Sequence, residues 1–202
     1  MAPRPVPRGR GRYRAHHAID RFPSLAYFSA MAKLPIITLP DPRLRKPSSP
    51  IERIDDDLER LMDDMLETMY AAPGVGLAAV QVGVPRRLIV LDVTGDEEER
   101  RPIFMVNPQI VASGSDMHLH EEGCLSIPEV RIEIERPAQV TVRYLDRAGK
   151  VQELVAKDLL ATAVQHEIDH LDGKLIIDYL SRLKRDIIVR RFKKQAKAEP
   201  TS

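Results

Sequence analysis

Residues 165–173 read QHEIDHLDG and place two histidines four positions apart, with a glutamate directly after the first. Because an α-helix turns about 100° per residue, His166 and His170 would lie on one helix face, where both imidazoles can reach one metal ion. Glu167 would lie beside that ion without binding it, where a base can take a proton from an activated water. The alternative interpretation of the same residues is an ordinary solvated polar face.

The helix that carries this stretch is predicted to begin at Asp158, which would cap it, and to stop at Gly173. Apolar residues recur along it at three- and four-residue spacing, which predicts an inward-facing stripe. Because this stripe accounts for the packing of the helix, the histidines are not needed as core residues. The stripe consists of Leu159, Leu160, Ala163, Val164, Ile168 and Leu171.

Two further helices are predicted from the same periodicity. The first spans Asp56 to Tyr70, with an Asp56/Glu59 capping pair at its start. The last spans about Ser181 to Lys197 and is amphipathic, with apolar residues opposite many basic ones. Its apolar residues are Leu183, Ile187, Ile188 and Phe192.

Strand patterns lie between these helices. The apolar run from Leu88 to Val93 predicts a buried strand, and alternation over residues 130–135 and 140–144 predicts two half-buried strands. Turn residues at 146–149 and a further strand from Lys150 to Val155 complete a hairpin. Because strand-helix-strand alternation is absent, the predicted fold is α+β. Mostly antiparallel hairpins and sheets would surround a central metal-binding helix, with an N-terminal helix and a basic C-terminal helix.

The composition limits the classes of protein that the chain can belong to. A length of 202 residues fits one domain, and a net charge of +1 provides no global field for nucleic acid. The single cysteine excludes an intramolecular disulfide, and no apolar run approaches the roughly 18 residues that span a bilayer. We therefore expect a soluble protein with neither a membrane nor a specific DNA partner.

The first thirty residues differ from the rest, with six arginines and four prolines against one acid. We expect residues 1–30 to be a disordered extension, residues 31–197 to form a single catalytic domain, and residues 198–202 to be a flexible tail. The extension could be an organelle-targeting segment, a nonspecific basic tail, or translated sequence upstream of a true start at Met31. Few serines and several prolines favour the third hypothesis.

Two histidines do not hold a catalytic metal, since open sites typically combine three protein ligands with one water. Beyond His170 the chain contains no histidine and no glutamate except Glu199. Upstream, residues 121–129 read EEGCLSIPE, and Cys124 follows a glycine at which the backbone can turn sharply. The alternative for a lone cysteine is a buried, inert thiol.

Residues 74–81 read GVGLAAVQ and loosely match a dinucleotide-binding pattern at Gly74, Gly76 and Ala79. That pattern requires a preceding strand, whereas this stretch follows a predicted helix. We favour a tight loop whose small residues let the backbone pass close to a ligand. Gln81 would offer an amide donor to a developing oxyanion.

Together these three stretches resemble the peptide deformylases, whose signatures are Gly-x-Gly-x-Ala-Ala-x-Gln, Glu-Gly-Cys-Leu-Ser and Gln-His-Glu-x-Asp-His. The chain carries them in the family's order at 74–81, 122–126 and 165–170. The likeness spans about residues 34–195, includes LPDPRLRKPS, and omits the arginine-rich arm. It therefore supports Met31 as the functional start.

The resemblance implies hydrolytic removal of the formyl group from N-formylmethionyl peptides, with release of formate. Cys124, His166 and His170 would hold one divalent metal ion. This ion is usually Fe²⁺ in the family, although zinc, nickel or cobalt would also suit the ligands. Glu167 would act as general base and then as general acid toward the leaving amine.

Further roles follow from the same resemblance. The oxyanion would be met by the Leu125 backbone N–H and the Gln81 side chain. Gly76 would offer backbone hydrogen bonds to the substrate. The peptide channel would be lined by Ser126, Ile127 and Arg131. For Arg131 the alternative is an exposed strand residue. Asp169 would orient part of the site or pair with a basic residue such as Arg136. The alternative for Asp169 is a surface salt bridge.

The C-terminal segment is crowded with basic side chains, which favour either a solvated face or docking on ribosomal RNA. The resemblance implies docking, because some members of the family use a basic C-terminal helix to bind the ribosome. We expect a bacterial cytoplasmic protein, or an organelle-matrix protein if residues 1–30 are a transit peptide. The basic residues are Arg182, Lys184, Arg185, Arg190, Arg191, Lys193, Lys194 and Lys197.

Two other functions compete with a deformylase. A general metallopeptidase is disfavoured because such enzymes rarely use a thiolate as third ligand. A non-catalytic, metal-containing module that binds nascent chains or ribosomes needs no water-activating carboxylate. Such a structural site would more often be closed by a fourth cysteine or histidine. Glu167 and Gln81 therefore count against it.

Overall fold

The computed structural model of the chain describes residues 33–95 and 98–198. The predictions for the arm at residues 1–30 and, apart from Ala198, for the tail at residues 198–202 lie outside these residues. Within the described part, no helix is both long enough and apolar enough to span a bilayer.

Three α-helices and seven β-strands follow one another in the described ranges, with short 3-10 helices at Pro42–Arg45, Ala79–Val82 and Ile176–Tyr179. The helices are α1 (Asp56–Ala71), α2 (Asp158–Leu171) and α3 (Arg182–Ala198). The strands are β1 (Gly76–Ala78), β2 (Leu88–Leu91), β3 (Ile103–Ser113), β4 (Met117–Cys124), β5 (Ile127–Pro137), β6 (Gln139–Leu145) and β7 (Val151–Lys157).

The strands form two antiparallel sheets. One has five strands in the order β1-β2-β3-β6-β7, and the other is the two-stranded hairpin β4-β5. The predicted α+β fold with mostly antiparallel sheets is thereby confirmed. The segment 74–81 is not a simple loop, because its middle residues form β1, the edge strand that pairs with β2.

Helix α1 forms where its apolar spacing predicts, and it buries Met62, Met65 and Met69 against β1 and β2. The capping residue lies one position earlier than predicted. The side chain of Asp55 accepts a hydrogen bond from the Leu58 amide at 3.0 Å, so that Asp56 is the first helical residue.

Helix α2 packs on the five-stranded sheet through Ala163, Val164, Ile168 and Leu171, which are all buried. The prediction that Leu159 faces the core is wrong, because its side chain is 45% exposed. Leu159 lies in the first turn of α2 and lines an open cavity instead of the sheet.

The hairpin β4-β5 has its own small core. Along β5 the buried positions alternate, from Val130 through Ile132 and Ile134, and they pack with Phe192 of α3. The predicted apolar face of α3 is only partly correct, since Leu183 and Ile187 are 72% and 59% exposed. They precede Phe192 by nine and five residues, which places them about 180° and 140° away around the helix.

We predict that Gly173→Ala destabilises the fold. Gly173 ends α2 with φ +76°, and an added Cβ would lie 2.6 Å from the Arg45 carbonyl oxygen. Because backbone would have to move, the free energy of unfolding should fall by about 1–3 kcal/mol. Urea denaturation measures the change.

Gly95→Ala is the matched control, because a Cβ there meets no described atom within 4 Å. Its unfolding free energy should stay within about 0.5 kcal/mol of the parent protein. Equal denaturation midpoints for the two variants would contradict the close approach at Gly173.

Candidate metal centre and active site

Helix α2 and the end of strand β4 bring three potential metal ligands together. His166 and His170 lie one turn apart on α2, and the last residue of β4 is Cys124. All three are buried, and their ligand atoms lie within 4.8 Å of one another. Cys124 Sγ is 3.2 Å from His170 Nε2. The structure thus brings together the two distant stretches that the sequence analysis singled out.

An irregularity in the pairing of β4 with β5 directs Cys124 toward helix α2. Gly123 pairs with Arg131, whereas the next residue, Cys124, pairs with Ile127. Three residues of β5 therefore have no counterpart on β4, and the chain bends at this point. The bend places the thiol beside the histidines and not within a regular sheet.

The donor set fits a catalytic metal ion. One thiol and two imidazoles supply three ligands and leave a coordination position open, as in catalytic sites, and this mixture suits Fe²⁺, Co²⁺, Ni²⁺ or Zn²⁺. Two buried polar atoms at the site, Glu167 Oε2 and His170 Nδ1, have no hydrogen-bond partner among the described residues. A polar ligand beside Glu167 would satisfy the carboxylate oxygen.

The Glu122 carboxylate orients the ligand His166. His166 Nδ1 donates to Glu122 Oε2 at 2.9 Å, so Nε2 is left to face the other ligands. Burial alone would lower the pKa of His166, but its hydrogen bonds with Cys124 and Glu122 outweigh burial and hold that pKa well above its ordinary value. Burial and the neighbouring His166 lower the pKa of the other histidine, His170, so that this imidazole stays neutral, as a metal ligand must.

A buried arginine holds Glu122 in turn. Arg136 donates to the two Glu122 oxygens at 2.6 and 3.1 Å, and both side chains are about 5% exposed. Burial would raise the pKa of Glu122, yet the hydrogen bonds from His166 and Arg136 leave it below the ordinary value. Glu122 is thus an ionised partner of His166.

Asp169 completes this chain of contacts. Its Oδ2 atom accepts from Arg136 Nη1 at 2.9 Å and from the Tyr179 hydroxyl at 2.7 Å, and Arg136 Nη1 also donates to that hydroxyl at 2.9 Å. The pairing of Asp169 with Arg136 is therefore confirmed. The sequence analysis did not assign a role to Glu122 or Tyr179, nor this role to Arg136. Two of the three carry a signal: Glu122 is the first residue of the Glu-Gly-Cys-Leu-Ser signature, and Arg136 continues the buried alternation of β5 two positions after Ile134.

Glu167 lies against strand β1. An added Cβ at Gly76 would be 2.5 Å from Glu167 Oε1, so only a glycine leaves room for this carboxylate. Burial raises the pKa of Glu167 to about 7, while His166 opposes the rise and Glu122 adds to it. A cation bound nearby would lower this pKa. The arrangement suits a group that takes up and releases a proton near neutral pH.

Gln81 extends an amide group toward the same place. Its Oε1 accepts from the Ala78 amide at 2.8 Å, while Nε2 donates to Ser126 Oγ at 3.1 Å and lies 3.9 Å from Cys124 Sγ. Both ends of the side chain are therefore fixed. No strand precedes this segment directly, because α1 ends at Ala71, so the dinucleotide-binding pattern lacks its required context.

These groups open onto a cavity of about 600 Å³. Of the residues predicted to contact substrate or the oxyanion, most line it, but Ser126 does not. Ser126 is fully buried, and its hydroxyl is occupied by Gln81. The predicted residues that line the cavity are Gly76, Gln81, Leu125, Ile127 and Arg131, together with Cys124, His166 and Glu167.

The mixed fold and the buried cluster of one thiol, two imidazoles and a carboxylate define a metal-dependent hydrolase. The sequence profile of the family described as "Polypeptide deformylase" matches residues 33–186. The chain belongs to the polypeptide deformylase family.

Individual relatives agree with this assignment. A peptide deformylase of Rhizobium meliloti (strain 1021) is 60% identical over 163 residues, which cover 81% of this chain and 94% of that protein. The structure of a peptide deformylase from Ehrlichia chaffeensis in complex with actinonin shares 42% identity with a TM-score of 0.78, covering 85% of this chain and 100% of that one. A Met-Ala-Ser-bound peptide deformylase from Acinetobacter baumannii shares 35% identity with a TM-score of 0.70, covering 74% and 99%.

We predict that Glu122→Gln weakens metal binding. The substitution keeps the shape of the side chain but removes the charge that orients His166 and neutralises Arg136, so affinity should fall about 10- to 100-fold. Competition between the purified protein and a chelator for Co²⁺ measures this affinity.

Glu121→Gln is the matched control, since Glu121 is the adjacent residue of the same strand and its side chain is exposed. Its Co²⁺ affinity should equal that of the parent protein. Equal affinities for all three proteins would contradict the orienting role of Glu122.

Proposed function

We propose that the chain hydrolyses the formyl amide bond of N-formylmethionyl polypeptides and releases formate and a free amino terminus. The observation that carries this proposal is the buried Glu167 carboxylate beside the Cys124, His166 and His170 group, at the wall of a cavity. The Met-Ala-Ser-bound relative supports the substrate class, because Met-Ala-Ser is the peptide that remains once a formyl group is removed.

We propose that Cys124, His166 and His170 hold one divalent ion, and that this ion is Fe²⁺. When bound, the ion supplies Lewis-acid chemistry that polarises oxygen atoms and acidifies water. The choice of Fe²⁺ rests on the family resemblance, since the Cys/His₂ donor set would also accept zinc, nickel or cobalt.

Glu167 is the proposed proton carrier. As a carboxylate it takes a proton from the attacking water, and as a carboxylic acid it gives that proton to the leaving amine. Burial against Gly76 keeps it within reach of the reacting atoms and raises its pKa toward neutrality. A single group can therefore serve in both steps.

The Gln81 amide and the Leu125 backbone N–H are the proposed donors to the oxyanion. Gln81 is held by Ala78 and Ser126, so its Nε2 atom is fixed beside the thiol before substrate binds. Each donor would contribute on the order of 10²-fold in rate. We assign Ser126 to the support of Gln81, whereas Gly76, Ile127 and Arg131 line the cavity and are proposed to contact the peptide.

The non-catalytic alternative gains no support from the relatives, which carry the name of an enzyme. The Gln81 amide, fixed beside the thiol, would also serve no purpose in a purely structural site. We place the reaction in the bacterial cytoplasm, where formylated chains are synthesised.

We predict that Glu167→Ala abolishes formate release and leaves the metal site intact, because Glu167 is not among the three ligands. Formate release from formyl-Met-Ala-Ser is measured after anaerobic purification, and metal content is measured on the same samples. Glu52→Ala is the control, because Glu52 is exposed and does not line the cavity, and it should retain both. Activity near that of the parent protein in Glu167→Ala would overturn the catalytic assignment.

We also propose that α3 docks on the ribosome, where formylated chains emerge. Arg190, Arg191, Lys193 and Lys194 are exposed on α3, which packs on the core through Phe192. This positive surface would suit the phosphates of ribosomal RNA.

Charge reversal tests docking without removing Phe192 from the core. Lys193→Glu combined with Lys194→Glu should weaken cosedimentation with ribosomes, and binding of the parent protein should fall steeply with added salt. The paired control is Lys150→Glu with Lys157→Glu, two exposed residues at or next to β7. Equal ribosome binding by both double variants would rule out docking through α3.

A further inference from the structure

A second concave surface continues from the catalytic cavity. This exit groove, as we name it, lies between β5 and α3 and has a volume of about 600 Å³. Its walls include Ile132 and Glu133 of β5 and Lys184 and Ile187 of α3. Glu121, Val130 and Arg131 line both the cavity and the groove, so the two spaces are adjacent.

We propose that the exit groove binds the substrate polypeptide downstream of its third residue. The inference rests on the proposed deformylase function. A nascent polypeptide places only its first residues in the catalytic cavity, and the rest of the chain must leave through an open side. The groove begins where the cavity ends and shares three lining residues with it.

The length of β5 indicates which substrate residues the groove would hold. Ile127 lines the cavity, and Glu133 lines the far part of the groove. These positions are six residues apart on β5, so they lie at most about 20 Å apart, the length of six residues of an extended peptide. The bend at residues 128–130 shortens this distance. A tripeptide would therefore stay within the cavity, whereas a chain of about nine residues would run the length of the groove.

The chemistry of the groove suits a substrate whose sequence varies. The exposed aliphatic side chain of Ile187 offers a contact that does not depend on a particular partner, and the buried side chains of Val130 and Ile132 form the floor beside it. Around them stand acidic and basic side chains, including Glu133 and Lys184, so that no single charge is selected. Ile187 is 59% exposed and contributes nothing to the core cluster around Phe192, which leaves it free to contact a peptide.

The test compares two formylated substrates of different length. In the parent protein, kcat/KM for a formyl-Met-Ala-Ser nonapeptide should exceed that for the tripeptide by about three- to tenfold. Ile187→Asn should bring the ratio of the two values toward one. Leu183→Asn is the matched control, because Leu183 is an exposed aliphatic residue of the same helix that lines neither space. It should keep the parent ratio.

A binding measurement accompanies the kinetics. A nonapeptide with a photoreactive group at its sixth residue should crosslink to α3 in the parent protein and less in Ile187→Asn. Two results would overturn peptide binding in the groove while leaving the deformylase function intact. One is equal kcat/KM for the tripeptide and the nonapeptide in the parent protein. The other is the same nonapeptide-to-tripeptide ratio in Ile187→Asn and Leu183→Asn. Absence of formate from both peptides would overturn the deformylase function itself, and the groove assignment with it.

Discussion

The Glu122 carboxylate, shared between Arg136 and His166, is the contact on which the site depends. It joins the hairpin to the central helix, because Glu122 lies on β4 and His166 on α2. Cys124 follows Glu122 by two residues, so fixing the carboxylate on the imidazole also fixes where the thiol meets the helix. Burying such charges is costly unless every partner is present, and here Asp169 and Tyr179 occupy the remaining guanidinium nitrogen.

The five-stranded sheet supplies the other half of the chemistry. Gly76 of β1 leaves space for the Glu167 carboxylate, and Gln81 follows in the next turn of chain with both ends of its amide fixed. The ligand cysteine belongs to the hairpin, whereas Gly76 beside the base and Ala78 beside the amide donor belong to the five-stranded sheet. Helix α2 lies where the two sheets meet, which explains why ten of its 14 residues are buried.

The sequence predicts the residues of the site better than the residues that hold them in place. His166, Glu167 and His170 follow from spacing on one helix, and their burial agrees with that geometry. Cys124 could be joined to them only through the family resemblance, since the approach of β4 to α2 is a tertiary contact. The error in predicting the apolar face of α3 has a different cause. Apolar character alone places Leu183 with Phe192, although its angular position is opposite the buried side of the helix.

The presence of a single cysteine in the chain has a practical consequence. Cys124 is the only cysteine of the 202-residue chain, and it lines the cavity with 9% of its surface exposed. An alkylating reagent therefore has one target, and a thiolate that is coordinated to metal reacts more slowly than a free one. At short reaction times the stoichiometry of labelling therefore reports the fraction of molecules without metal in a preparation.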